Sequence, residues 1–184
     1  MAKAKHTTTF KTLSDLGAFN YHPAFSLGLS EKELEKRKAK LLEAAYYLRD
    51  LKLPKKALFD FSLVGEHVGD HPPKEENYCG TTACAMGWLG LTNQFGFKPV
   101  WETGTEVRGD EKEVTTHSLT VKSKKYDSLD FDAMVDEFGL ADLNVAYWLF
   151  NPGQAYSGCG IDATKEEVAA NMEFVAKFGV YPVE

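Results

Sequence analysis

Cys79 lies in the densest chemical stretch of the chain, which runs Asn77-Tyr78-Cys79-Gly80-Thr81-Thr82-Ala83-Cys84-Ala85-Met86-Gly87-Trp88. Gly80 lets the backbone take a positive φ or approach a neighbour closely. A hydroxyl of Thr81 or Thr82 can then cap a helix running from Thr82 to about Phe95. A thiol at such a helix start sits in the positive end of the helix field, which lowers its pKa and favours the nucleophilic thiolate. A cysteine nucleophile needs a base, and His117, in the strand-like run Thr115 to Val121, is the candidate. A second chemistry is metal binding, since His67, His71, Cys79 and Cys84 could complete a tetrahedral zinc site. Against it, His-x3-His is more natural on a helix than in the Gly/Pro loop expected from Gly65 to Asn77. Cys-x4-Cys is also wider than a tight knuckle. The third reading is structural and is the favoured one. Ala83, Ala85, Gly87 and Gly90 leave the helix without bulk, and each mid-helix glycine costs roughly 1 kcal/mol against alanine. Close packing against other helices offsets that cost. On this reading Cys79, Gly80, Thr81, Cys84 and Gly87 form a structural motif, with no catalytic residue and no cofactor. Cys159, between Gly158 and Gly160, reads as a loop cysteine.

Elements must be found to position that stretch. At 184 residues, 43% hydrophobic and 12% aromatic, the chain is long enough for one domain with its own core. Its net charge of -6 argues against a general nucleic-acid binder, which needs a basic face. No apolar run reaches the roughly 20 residues of a membrane helix, and Met1 to Lys11 lacks the apolar centre of a secretory signal. Three cysteines are too few for a disulfide framework and fit a reducing cytoplasm.

Residues 1–29 read as an extended arm, with Phe10, Leu13, Leu16 and Phe19 able to anchor it. Ser30 and Glu33 form a capping box for a helix reaching about Leu51, with Leu34, Leu41, Leu42, Ala45 and Leu48 on one face. Ala57 to Val64 alternates Phe59, Phe61 and Leu63 with polar residues, as a half-buried strand does. Val100 to Arg108 and Val114 to Lys122 read as a hairpin or long two-stranded ribbon. Asp130 is expected to cap a short helix stopped by Gly139. A helix from Leu143 to Phe150 ends at Asn151-Pro152-Gly153, and the capping box Thr164/Glu167 opens a last helix stopped by Gly179. The expected fold is α+β: about five helices around a small antiparallel sheet, with the helix starting near Thr82 buried at the centre. Residues 30–184 form the single domain, carrying a β-ribbon insertion at about 98–125.

Two resemblances follow from these motifs. The Cys-Gly start, small residues and Ala85-Met86 resemble the opening of the papain-like bacteriocin-processing cysteine peptidases, which implies Cys79 as nucleophile and His117 as base. The chain departs from that pattern: Thr81 replaces the usual proline, no glutamine stands a few residues upstream, and His117 comes early. The wider set matches another group. Cys79-Gly-Thr-x-x-Cys84-x-x-Gly87 after Phe59-Asp60-Phe61-Ser62, followed by Phe138-Gly139-Leu140, Tyr147 to Pro152 and Ala163 to Ala169, resembles a family of small uncharacterised phage and bacterial proteins. The likeness covers roughly residues 57–95 and 136–180. It implies a phage or mobile-element setting in a host cytoplasm, and a non-catalytic accessory protein that binds a host or defence protein.

Overall fold

Local capping sets the helical frame. The computed structural model describes residues 12–13, 20–60, 64–73, 78, 81–109, 112–150 and 164–183. Helix α1 (Glu31–Asp50) opens on the Ser30/Glu33 box, and α5 (Lys165–Phe178) on the Thr164/Glu167 box. In each, the hydroxyl accepts from the N3 amide while the glutamate accepts from the cap residue, so orphan donors at both ends of the box are satisfied. The two helices pack together, burying Leu41, Ala44, Ala45 and Leu48 of α1 and Val168, Ala169, Met172 and Val175 of α5. Helix α3 (Asp130–Phe138) stops at Gly139 and α5 at Gly179, with φ of 67° and 70°, left-handed conformations in which glycine meets no Cβ penalty. Helix α4 is Leu143–Phe150.

Strand β1 (Asn20–Pro23) pairs antiparallel with β7 (Val180–Val183) in a small sheet. The main sheet contains β2 (Leu58–Phe59), β3 (Gly65–Val68), β4 (Thr81–Ala83), β5 (Phe97–Arg108) and β6 (Lys112–Ser123), in the order β2-β4-β3-β6-β5. Helix α2 (Ala85–Leu91) lies on this sheet with all seven residues buried. The fold is α+β, with five helices among the described residues and the α2 segment at its centre. None of those helices is long and apolar enough to cross a membrane.

The structure redraws several sequence expectations. Helix α2 begins at Ala85, not near Thr82, because Thr81–Ala83 is a strand held between β2 and β3. Two β-branched threonines with ladder partners on both sides outweigh a local helix signal. It ends at Leu91 rather than Phe95, as Asn93, Phe95 and Gly96 all take positive φ. Part of the expected Gly65–Asn77 loop is β3, an interior strand of the main sheet. Gly65 belongs there because a Cβ would lie 2.7 Å from Leu119 Cδ2. The main sheet is not wholly antiparallel, since β2 runs parallel to β4. Leu129, not Asp130, occupies the cap position of α3, and the Asp130 carboxylate instead accepts from the Val121 amide at 2.8 Å. The expected arm ends inside the body: Ala24 and Phe25 are buried behind β1. Phe10, Leu16, Phe19, Phe61, Ser62, Leu63, Cys79, Gly80, Asn151 to Gly153, Cys159 and Ala163 lie outside the described residues.

Candidate functional site

A row of polar side chains crosses the main sheet. The strand register sets Thr81 of β4 opposite His67 of β3, His67 opposite His117 of β6, and His117 opposite Thr103 of β5. Residues directly opposite in a ladder share a face, so all four project together. The face is the one that carries α2: the next rung is Ala83, Gly65, Leu119 and Trp101, and Ala83 presses on Gly87. The row therefore forms the polar margin of the core.

Its hydrogen bonds define the chemistry available. The carbonyl oxygen of Gly69 only accepts, so His117 Nε2 donates to it across 2.9 Å. His117 Nδ1 then accepts from the Thr103 hydroxyl, also at 2.9 Å. Both ring nitrogens of this buried imidazole are engaged. His67 stacks on it with ring centroids 6.0 Å apart and meets Thr81 Oγ1 through Nδ1 at 3.3 Å. Burial holds the His67 pKa below its ordinary value, and the neighbouring His117 adds to the effect. Cys84 occupies the cap position of α2 without a side-chain capping bond, and its thiol lies 3.7 Å from the Val64 carbonyl oxygen. Burial pushes that thiol up to about 11, so it stays protonated at neutral pH.

The candidate residues are thus distributed unevenly. His67, His117 and Thr81 come together; Cys84 is turned into the core and His71 is exposed. Among the described residues no group of three or more histidine, cysteine or acidic side chains stands where it could hold a metal ion. Cys79, the alternative nucleophile and one of the four alternative zinc ligands, is outside those residues. Thr103 and the Gly69 carbonyl were not foreseen as partners of His117. The parity of His117 with Leu119 and Val121 was the available signal that its ring faces inward.

The glycines of α2 are explained by contact with the sheet. A Cβ on Gly87 would stand 1.8 Å from the Val64 carbonyl oxygen, and one on Gly90 would stand 2.5 Å from Val121 Cγ2. The crowding neighbours are the β6 strand and the Val64 backbone rather than the helices expected.

A second polar cluster closes the other end of the core. Glu137, on α3, accepts from Lys40 Nζ at 2.6 Å and from Ser123 Oγ at 2.6 Å, while Arg37 and Lys40 both donate to its backbone carbonyl. The Ser123 oxygen also accepts from the amides of Lys125 and Tyr126. One carboxylate thereby joins α1, α3 and the end of β6.

The outer half of the β5–β6 ribbon has a different character. Residues 102–109 are exposed, whereas Phe97, Leu119 and Val121 at the inner end are buried. Arg108 Nη2 reaches both carboxylate oxygens of Glu66, at 2.7 and 2.8 Å, and also holds Glu106. Arg108 is six residues beyond Glu102, whose rung runs through Ser118 to Glu66. A flat strand would carry it about 20 Å away, so the ribbon coils over the outer face of β3.

No family model, curated protein or solved structure matches the chain.

Proposed function

We propose that this chain is a non-catalytic accessory protein that acts by binding another protein, and that the outer half of the β5–β6 ribbon is the contact surface. The observation that carries the reading is the contrast along β5: Phe97 at its inner end is buried in the core, whereas residues 102–109 are exposed throughout, with Thr103 tied back to the buried His117. Val107, 64% exposed at the outer end, offers an apolar point among charged neighbours. The chemical side chains argue the same way, since the His117 nitrogens serve Gly69 and Thr103, and the Cys84 thiol is buried and protonated. In the phage or mobile-element setting implied by the Cys-Gly-Thr motif, the partner is a host or defence protein in the cytoplasm.

A photo-crosslinking residue placed at Glu113, on the exposed ribbon, and at Lys36, on α1, tests this in host cells. The reading expects one cellular protein captured from the ribbon position and absent from the α1 position, with purified partner and chain then binding directly. Identical capture from both positions would defeat it. So would Cys79-dependent cleavage of a peptide library by the purified chain, which would make the protein a hydrolase.

A further inference from the structure

Strand β5 is the end strand of the main sheet, and among the described residues nothing pairs with its outer side. A twelve-residue edge is long, and long edges are usually blunted by charge, proline or cover because they template pairing with another chain. Pro99 blunts the inner end, where the missing N–H is harmless only on an edge. From Glu102 to Arg108 the side chains divide cleanly by face. Thr103, Thr105 and Val107 share the α2 side; Glu102, Gly104, Glu106 and Arg108 share the outer side.

That order is self-complementary about Thr105. We propose that two copies of this chain join edge to edge through β5, antiparallel, with the two-fold axis on Thr105. In that register Glu102 stands opposite Arg108 of the second copy, twice by symmetry. Glu106 stands opposite Gly104, so the remaining acidic side chain meets no like charge directly across the seam. On the other face Thr103 stands opposite Val107, covering the exposed valine with a β-branched neighbour. The groups that would meet have capacity to spare. The Glu102 carboxylate makes no ion pair or hydrogen bond among the described residues, and Arg108 donates there through Nε and Nη2 only, leaving Nη1. Neighbouring registers are poorer. An axis on Gly104 sets Glu102 against Glu106, an axis on Thr103 sets Lys98 against Arg108, an axis on Val107 runs out at the Gly109 turn, and an axis on Val100, though it sets Lys98 against Glu102, brings Pro99 with no N–H into the ladder. The pairing yields a ten-stranded sheet across two molecules, with both ribbons at its middle.

Seven residues a side make a small interface, so the dissociation constant belongs on the order of micromolar. Sedimentation equilibrium of the purified chain between about 1 and 300 µM brackets that range. The expected result is a shift from the 20.5 kDa monomer to twice that mass. Glu102→Arg, which removes no internal contact, and Arg108→Glu should each remain monomeric throughout, with unchanged far-UV circular dichroism. Mixed in equal amounts, the two variants restore both cross-pairs and should form a heterodimer; the double variant should dimerise like the parent. A monomeric parent at the highest concentration overturns the proposal, as does a dimer indifferent to both charge changes. The measurement needs no host protein, so its failure leaves the binding function standing.

Discussion

Gly87 and Gly104 make opposite predictions from the same residue type. The Gly87→Ala methyl would meet a backbone oxygen that cannot turn aside, and overpacking of that kind lies at or beyond the upper end of the usual range, about 3 kcal/mol. At Gly104 the nearest atom is Thr116 Oγ1, an ordinary 3.7 Å away, so Gly104→Ala should fall within about 0.5 kcal/mol of the parent. Urea midpoints of the two variants check the contrast. His67 gives a pH dependence with a definite sign. Its pKa is lowered in the folded chain, so below the ordinary value of 6.5 the unfolded state binds the proton more readily. Stability contributed by the neutral ring is therefore complete above pH 6.5 and is lost as pH falls from there toward the folded value. His67→Gln should flatten the dependence of the urea midpoint between pH 7.5 and 5.5; an unchanged slope would remove His67 as its source.

At the scale of elements, Glu137 is the joint whose loss should be felt most widely. Its carboxylate is nearly buried, and burial is the largest cause holding the Lys40 pKa below its ordinary value, with the hydrogen bond and charge of Glu137 acting the other way. Removing one partner strands the other, so Glu137→Leu should destabilise by about 3 kcal/mol. Lys40→Met in the same chain should recover part of that loss, which a double-mutant cycle of urea midpoints would read as coupling between α1 and α3. The helices around this joint were legible because their signals are local. Ser30 with Glu33, Thr164 with Glu167, Gly139 and Gly179 each act within one turn of themselves. Strands β3 and β4 were not, because their partners are remote. Glu66-His67-Val68 between two glycines resembles a loop until Thr116 to Ser118, some fifty residues later, supplies its ladder. The same error displaced the start of α2. Thr81–Ala83 has a helix-compatible sequence, and only pairing on both sides makes it a strand. The candidate site suffered with it: His117 is legible by residue type, but its neighbours His67 and Thr103, and Thr81 beyond His67, come from three other strands.

For the molecule as a whole, closure depends on β1 meeting β7. The Ala24 amide bonds the Gly179 carbonyl and the Ala141 amide bonds the Ala24 carbonyl, so the segment after β1 is tied to the end of α5 and to the α3–α4 junction. Removing residues 180–184 takes away β7 and uncovers Tyr21 beside Phe174. That truncation should lower the melting temperature by several degrees and raise protease sensitivity first at residues 20–26, as limited proteolysis with mass mapping would show. Asn20 faces Val183 and Pro23 faces Val180, so the chain enters β1 and leaves β7 at the same rung of this ladder. Tension applied at Asn20 and Val183 would load the cross-strand bonds singly, as a zipper is loaded, instead of sharing the pull along the strands. The molecule would yield there at small force, peeling open at its seam while the sheet beneath α2 stayed whole.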